Sequence, residues 1–140
     1  MGVGKDLWTE MVTRYNKQDW SGVASMYASD AVLVDPNGRC EGRDAISAYF
    51  GALRGRFPIR SIETSVVIEE GDTAVAEWTW RGTNTGPLTL PDGSEMAATG
   101  KVVELPGVSV VTVRDGKLAT QHDYADTAAI ASKLGLLPST

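Results

Sequence analysis

Two aspartates that interrupt apolar strands are the clearest candidates for acid–base chemistry in the sequence. Asp35 ends the segment AVLVDP, and Asp123 lies inside QHDYAD. Side chains alternate along a strand, so Gln121, Asp123 and Ala125 share one face while His122 lies on the other. A carboxylate on a buried face has a raised pKa, which a general base acting near neutral pH requires.

Each candidate also has a purely structural interpretation. Asp35 precedes Pro36 and could cap a turn, which composition alone favours. Asp123 could equally lie on an exposed face, with His122, the only histidine, turned inward. Ser109, inside GVSVVTV, could be a small residue that the strand tolerates. The sequence has no second histidine or Cys/His cluster that would predict a metal site.

Aromatic residues form a second candidate feature. Trp78 and Trp80 alternate onto one face of a predicted strand. Together with Tyr49 and Phe50 they could line an apolar pocket for a flat ligand. A plain core or a dimer face would explain them as well, because aromatic residues dominate both.

Spacing and turn residues predict the elements that must position these side chains. Apolar residues recur at helical spacing from Lys5 to Lys17, and Asp19 is a suitable N-cap for a short second helix. Helices followed by an antiparallel sheet indicate an α+β domain with a concave cavity. The remaining predicted elements are helices around 46–53 and 127–134 and strands over 31–34, 59–69, 73–83, 96–113 with a bend at Pro106-Gly107, and 117–125.

Composition argues against several classes of function. The 140-residue chain has a net charge of −5 and scattered basic residues, which argues against nucleic-acid binding; the densest basic group, Arg54, Arg56 and Arg60, is most simply a solvated face. No apolar run approaches the ~18 residues of a membrane span, and no secretory segment is visible. The single cysteine, Cys40, cannot form an intrachain disulfide. We therefore expect one cytoplasmic domain over residues 1–140, with no membrane or nucleic-acid partner.

Several motifs taken together resemble known families. MYASDAVLVDPNG followed by EGRDAISAYF resembles the front half of ketosteroid isomerases. RGTNTGPL, ATGKVVELPGV, RDGKLATQHDYAD and LGLLP resemble the SnoaL-like polyketide cyclases. Both families share the cone-shaped fold of nuclear transport factor two. The resemblance therefore implies N-terminal helices packed in a curved mixed or antiparallel sheet that encloses a pocket.

The isomerase resemblance implies roles for three residues. Asp35 matches the general base, the aspartate of a V-x-D-P segment. Arg14-Tyr15 looks like the Arg-Tyr pair that carries the oxyanion tyrosine, although the interval from Tyr15 to Asp35 is shorter by about one helical turn. The second oxyanion donor of those enzymes, a protonated aspartate, falls at or near Ser109. Serine is a weaker donor, and this departure counts against a true steroid isomerase.

The cyclase resemblance implies that Asp123 is the acid/base, because it is the aspartate that follows the D-G-K turn in the last strand. A cyclase histidine on the preceding strand again falls near Ser109 and is missing here. Limonene epoxide hydrolases also resemble the last strand, with Asp123 in the matching place. Their R-x-D on the middle strand is absent, because Arg81 is followed by Gly82 and Thr83.

These observations predict a cofactor-independent enzyme without a metal, acting on a hydrophobic, polycyclic or polyketide-like ketone. Asp123 would move a proton next to the carbonyl group, and Asp35 would be a second acid/base or a binding group. Tyr15, Asn84 and Ser109 would hydrogen-bond the developing oxyanion. The product would be a ring closed by aldol addition or an isomerised double bond. The predicted substrate contacts are Tyr49, Phe50, Trp78, Trp80, Asn84, Ser109 and Gln121.

Two further expectations concern class and assembly. A non-catalytic ligand-binding module is the rival from a different class, because one fold supports many functions. Valines at Val108 and Val110, and at Val111 and Val113, put apolar residues on both faces of one strand. One face covers the helices and the other needs cover, which predicts a homodimer.

Overall fold

The computed structural model describes residues 3–36, 38–89 and 93–135, and this part of the chain forms four helices and eight strands. The helices are α1 (Val3–Asn16), α2 (Trp20–Ala24), α3 (Arg43–Arg56) and α4 (Thr127–Lys133); the strands are β1 (Tyr27–Asp35), β2 (Gly38–Glu41), β3 (Ile59–Glu70), β4 (Thr73–Thr83), β5 (Leu88–Thr89), β6 (Glu95–Met96), β7 (Val102–Arg114) and β8 (Lys117–Ala125). None of these helices is long and apolar enough to cross a membrane.

A six-stranded mixed sheet carries the helices on one face. Its strand order is β2-β1-β8-β7-β4-β3, and every neighbouring pair is antiparallel except β1 with β8. This confirms the predicted α+β class. The parallel pair joins the first strand of the chain to the last, so residues far apart in sequence meet in the middle of the sheet.

Helix α1 is anchored to β3 by both apolar and polar contacts. Trp8, Met11 and Tyr15 recur at helical spacing and are buried. The Trp8 indole N–H donates to the Thr64 hydroxyl at 3.0 Å. The Asn16 amide pairs with the backbone of Ile62 in both directions at 2.8 Å, as a neighbouring strand would. The helix therefore presents its apolar face to the sheet in a defined register.

Turn chemistry follows the sequence at the ends of two elements. Asp19 caps α2 as predicted, and its carboxylate accepts from the backbone N–H of Gly22 at 3.1 Å. Asp115 and Gly116 both have positive φ, 53° and 74°, and join β7 to β8 in a tight hairpin. In the predicted turn after Asp35, Asn37 lies outside the described residues, as do Asp92 and residues 136–138 of LGLLP.

The structure corrects the prediction of one bent strand over 96–113. Strand β7 begins at Val102 and continues through Pro106-Gly107. Strand β8 pairs with β7 only from Gly107 onward, so Pro106 lies outside that ladder, where its missing N–H costs least. The short strands β2, β5 and β6 were not predicted, because pieces of two to four residues carry too little periodicity.

The predicted solvated basic group is also corrected. Arg60 is buried, and its guanidinium donates to the carbonyl oxygens of Phe57 and Pro58 at 2.8 and 3.1 Å. It also stacks 4.1 Å from the centre of the Trp20 ring. Short sequence windows cannot reveal such a contact with a distant ring. The side chains of Arg54 and Arg56 lie outside the described part.

The face of the sheet opposite the helices carries an apolar patch. Its six apolar residues lie in two cross-strand rows, because directly paired residues share a face. Ile68, Val75 and Val110 lie in one row, which ends at His122; Val66, Val108 and Tyr124 lie in the next, which has Glu77 between Val66 and Val108. Ile68 is 65% exposed and Tyr124 is 60% exposed. We call these six residues the outer apolar patch.

The outer apolar patch leads us to expect a homodimer that covers it. Ile68→Glu places a charge in the patch and should shift the protein towards monomer, because an unpaired charge in an interface costs free energy. Size-exclusion chromatography with light scattering measures the mass, with Lys5→Glu on the exposed start of α1 as the control. A monomer mass for the wild-type protein at high concentration would contradict this expectation.

Candidate functional site

A cavity of about 140 Å³ lies between the inner face of the sheet and the helices. Its described lining contains no lysine, arginine or histidine. Polar groups reach it from three strands, as Asp35 from β1, Ser109 from β7, and Gln121 and Asp123 from β8. Seven aromatic side chains form most of the wall: Trp8, Tyr15, Tyr49, Phe50, Phe57, Trp78 and Trp80.

Cross-strand pairing brings Ser109 and Asp123 together. The two residues are directly opposite each other on β7 and β8, and Ala76 on β4 continues the row. The Ser109 hydroxyl donates to Asp123 Oδ1 at 2.5 Å. Strand alternation turns the neighbouring His122 to the other face. The structure thus places Asp123 in the cavity with Gln121 and Ala125, as alternation along β8 predicts.

Two hydrogen-bonded chains end on the Asp123 carboxylate. In one, the Trp78 indole donates to Ser109 Oγ at 2.9 Å, and Ser109 donates onward to Asp123. In the other, the Tyr27 hydroxyl donates to Gln121 Oε1 at 2.6 Å, and Gln121 Nε2 donates to both carboxylate oxygens at 3.0 and 3.2 Å. An indole N–H can only donate, so the first chain has one possible direction. Asp123 is therefore an acceptor towards both neighbours.

Burial raises the pKa of Asp123 from its ordinary 3.8 to about 6. Hydrogen bonds from Ser109 and Gln121 oppose this effect, because they stabilise the charged form. The charge of Asp35 raises the pKa further, which indicates that the two carboxylates act on each other across the cavity. A carboxyl with this pKa changes its protonation state close to neutral pH, as a general base or acid must.

Asp35 lies both at the turn after β1 and in the lining of the cavity. One carboxylate oxygen accepts from the backbone N–H of Gly38 at 3.1 Å, which closes the turn after β1. The other oxygen accepts from the Tyr49 hydroxyl, and both side chains line the cavity. The turn-capping interpretation and the cavity interpretation are both correct.

Tyr15 also lines the cavity, despite its shorter interval from Asp35. Its hydroxyl oxygen accepts from the Trp80 indole at 3.0 Å. Burial raises the pKa of Tyr15, and the Trp80 hydrogen bond and the nearby Arg60 charge partly offset that effect. Because the oxygen accepts from Trp80, the hydroxyl group of Tyr15 keeps its own proton as a donor.

Two glycines make room for the tryptophan rings. A methyl group on Gly107 would lie 2.4 Å from Cη2 of Trp78, and one on Gly82 would lie 2.4 Å from Cη2 of Trp80. Gly107 pairs directly with Trp78 across β4 and β7. The indoles can therefore lie across the neighbouring positions and reach Ser109 and Tyr15.

The structure brings together every predicted site residue except Asn84. Tyr49 and Phe50 both face the cavity, with ring centres 5.8 Å apart. The prediction for Asn84 is corrected. Its amide nitrogen donates to the Gly86 carbonyl at 2.8 Å, and its amide oxygen accepts from the backbone N–H and the hydroxyl of Thr99. It organises the loop before β7 instead of lining the cavity, because that loop needs partners for its buried backbone groups.

Sequence reasoning missed two polar residues at the site: Thr127, which lines the cavity, and Tyr27, which lies behind Gln121. Tyr27 lies at the start of β1, and the order of residues along the chain gives no sign that its hydroxyl reaches β8. Trp8, Met11 and Phe57 were also missed as cavity walls. The helical spacing of Trp8 and Met11 with Tyr15 was a usable signal for two of them. In residues 3–36, 38–89 and 93–135, no three metal-ligating side chains form a cluster.

The raised pKa predicts that Asp123→Asn is more stable than the wild-type protein above about pH 6. The folded state holds this proton more tightly than the unfolded chain, so ionisation between about pH 4 and 6 destabilises the folded state. A shift of this size corresponds to a destabilisation of the folded wild-type protein by roughly 3 kcal/mol. This destabilisation is present above about pH 6 and absent below about pH 4. Urea unfolding near those two pH values measures the difference. Asp115→Asn, at the exposed hairpin, is the control, and equal stability of wild type and Asp123→Asn at the higher pH would contradict the assignment.

The close approach at Gly107 predicts that Gly107→Ala displaces the Trp78 ring and breaks its hydrogen bond to Ser109. Overpacking of this kind costs about 1–3 kcal/mol of stability. Tryptophan fluorescence and thermal unfolding measure the two effects. Gly55→Ala is the matched control, because a methyl group there meets nothing within 4 Å. Identical spectra for Gly107→Ala and the wild-type protein would exclude this role for Gly107.

Comparisons with known proteins agree with this architecture. AclR, a proposed hydroxylase from Streptomyces galilaeus, has 25% identity and a TM-score of 0.83, covering 100% of this chain and 85% of its own. IdmH, a proposed polyketide cyclase from Streptomyces antibioticus, has 18% identity and a TM-score of 0.78, with coverage of 94% and 98%. A proposed SnoaL-like polyketide cyclase from Jannaschia sp. CCS1 has 22% identity and a TM-score of 0.76, with coverage of 95% and 94%.

Solved structures similar to this chain include an NTF2-like protein and one with a ketosteroid isomerase-like fold, which confirms the predicted fold. No curated protein matches the sequence significantly. The model of the SnoaL-like domain matches residues 8–121, which run from Trp8 in α1 to Gln121 in β8. The chain belongs to the SnoaL-like family.

Proposed function

We propose that this protein is a cyclase-type enzyme that transfers protons on a hydrophobic ketone without a cofactor. The observation that carries the proposal is Asp123, a carboxyl with a pKa of about 6 at the wall of an aromatic cavity. Its protein neighbours donate hydrogen bonds to it, which supports a role for Asp123 as the acceptor of a substrate proton. The proposed polyketide cyclases of the same fold support this direction.

In the proposed reaction, ionised Asp123 removes a proton from the carbon next to a carbonyl group. The electron pair of the C–H bond forms an enolate, and its oxygen accepts a hydrogen bond from Tyr15. The enolate carbon then attacks a second carbonyl carbon of the same molecule and closes a ring. The proton held by Asp123 passes to the new alkoxide, which restores the carboxylate. Positioned proton transfer of this kind contributes about 10²–10⁴-fold in rate.

A pKa of about 6 suits Asp123 to the role of base. Asp35 instead has one carboxylate oxygen bound to the backbone N–H of Gly38 in the turn after β1 and the other bound to Tyr49. This weakens the isomerase alternative, in which Asp35 is the base. The epoxide hydrolase alternative is weaker still, because Arg81 pairs with Glu63 and Glu104 on the exposed face.

The walls of the cavity support a flat, uncharged or weakly charged substrate. Burial of an aromatic ring against Trp78 and Trp80 releases apolar surface from water. The two carboxylates and the net charge of −5 disfavour anions. Cavities of about 150 Å³ accommodate a benzene-sized ligand. A polycyclic ketone would therefore place its reacting ring inside, with its other rings extending outward.

Hydrogen–deuterium exchange tests the proposal without the natural substrate. Fused-ring ketones such as β-tetralone are incubated with the protein in D₂O, and mass spectrometry follows deuterium entering next to the carbonyl group. We expect catalysed exchange that rises with pH to a plateau above about 6, because Asp123 must be ionised to act as a base. Asp123→Asn should lose about 100-fold or more of the enzymatic rate.

Variants at other positions separate the candidate functions. Asp115→Asn should keep the full exchange rate, because it removes an exposed carboxylate far from the cavity. A greater loss in Asp35→Asn than in Asp123→Asn would support the isomerase-type assignment instead. Ketones that bind and quench tryptophan fluorescence without any exchange would contradict the enzyme proposal and assign the chain to the non-catalytic binding modules.

A further inference from the structure

We propose that Tyr27 is a positioning residue for Asp123 that acts through Gln121. Its hydroxyl group holds the Gln121 amide with the nitrogen facing the carboxylate, which favours the ionised form of Asp123. The functional meaning rests on the proposed role of Asp123 as base. The physical claim concerns the protein alone and is tested without any ligand.

Buried hydrogen bonds connect Tyr27 to Gln121 and Gln121 to Asp123. Tyr27 is 1% exposed and Gln121 is 4% exposed. The Tyr27 hydroxyl lies 2.6 Å from Gln121 Oε1, and Gln121 Nε2 lies 3.0 and 3.2 Å from the two oxygens of Asp123. Tyr27 does not line the cavity that holds Asp123. Burial and the charge of Asp123 raise the pKa of Tyr27, so the phenol is neutral where Asp123 titrates and its hydrogen bond reaches the carboxyl through Gln121.

The amide of Gln121 has two chemically different ends, and which end faces Asp123 matters. With the nitrogen towards Asp123, the amide donates and stabilises the carboxylate. With the oxygen towards Asp123, the amide accepts and stabilises the protonated acid. Rotation by half a turn exchanges the two without a change of shape. The ionised carboxylate itself attracts the nitrogen, and a hydrogen-bonding group on the far side of the amide adds a preference that is present in both protonation states.

Tyr27 can supply that preference because of its surroundings. In the described part of the chain, its hydroxyl proton has one hydrogen-bond acceptor, Gln121 Oε1. Its ring packs near the apolar Phe50 ring, with centres 6.3 Å apart. If the amide turned over, Tyr27 would accept instead, and its own buried proton would lose its acceptor. An unsatisfied buried donor costs about 1–3 kcal/mol, so the observed orientation is favoured.

The backbone holds Tyr27 in place independently of this hydrogen bond. The Arg43 guanidinium donates twice to the Tyr27 carbonyl oxygen, at 2.9 and 2.7 Å. Tyr27 also pairs with Leu118 of the parallel strand β8. Removal of the hydroxyl alone should therefore leave the ring where it is. This makes Tyr27→Phe a clean test of the hydroxyl group.

Other charged groups near Asp123 are the same in all the variants. Asp35, on β1, raises the pKa of Asp123, and His122, on β8, lowers it. Ser109, on β7, donates to Oδ1 of the same carboxylate. None of these contacts passes through Tyr27. A change caused by Tyr27→Phe is therefore attributable to the amide.

The experiment is a carbon-13 NMR titration of the Asp123 carboxyl in four proteins: wild type, Tyr27→Phe, Gln121→Leu and the double variant. We expect Tyr27→Phe to raise the pKa of Asp123 by on the order of one unit, because the stabilising donor is no longer held in place. Gln121→Leu should raise it at least as much. The double variant should equal Gln121→Leu, because the neutral Tyr27 hydroxyl acts on Asp123 through the hydrogen bond to Gln121.

Tyr124→Phe is the matched control, since it removes a tyrosine hydroxyl from the exposed outer face. It should leave the pKa of Asp123 unchanged. An unchanged pKa in Tyr27→Phe overturns the proposal, and so does an extra shift when Tyr27→Phe is added to Gln121→Leu. If ketone exchange is absent while these shifts occur, the proposed function fails and the positioning role stands.

A measurement on the wild-type protein keeps the test independent of variant folding. The side-chain nitrogen-15 signal of Gln121 should move with the same midpoint as the Asp123 carboxyl, because the nitrogen donates to it. A Gln121 nitrogen signal that is insensitive to the ionisation of Asp123 would overturn the orientation on which the proposal rests.

Discussion

The placement of a carboxylate in an aromatic cavity is the constraint on which the rest of this structure depends. An ionised group loses its hydration there, and only charge-assisted hydrogen bonds can replace part of it. Ser109 and Gln121 provide these bonds, and each is itself oriented by a further donor, Trp78 or Tyr27. The balance leaves Asp123 with a pKa of about 6. With fewer donors the pKa of Asp123 would be higher and the carboxyl would stay neutral. With more donors the pKa would be lower and the carboxylate would be a weaker base.

The tryptophans of β4 serve the cavity in two ways. Their rings form its apolar wall, and their indole N–H groups donate to Ser109 and Tyr15. Trp78 is thus linked to the Asp123 carboxyl through Ser109, and Trp80 donates directly to the Tyr15 phenol. Both functions require the rings to lie across the sheet, which is possible because Gly107 and Gly82 have no side chains. The aromatic wall and the polar groups therefore form one packed unit.

Much of the fold was predictable from sequence, because long elements carry strong periodic signals. Strand β4 has the predicted limits of 73–83, and the Asp19 cap and the Asp115-Gly116 hairpin are as predicted. Errors lie where the signal is short or depends on distant partners. Residues 97–101 read as strand, but Asn84 holds their backbone in a loop. Arg60 reads as a surface residue, but the Trp20 ring covers it.

The site itself depends on a register that only the tertiary structure decided. A tight hairpin pairs Arg114 with Lys117, and that register, if continued, would set Ser109 opposite His122. A bulge at Ala119 shifts the pairing by one residue, so that Asp123 takes the place beside Ser109. From spacing alone, the two faces of β8 were equally plausible.

The sequence by itself therefore determined which acid could act and which aromatic residues could surround it, because residue types and alternation are local properties. It did not determine that Asp123 faces inward, that Tyr27 reaches Gln121 or that Asn84 serves a loop. Those outcomes follow from strand register and from the parallel pairing of β1 with β8, which depend on packing between residues far apart in the chain.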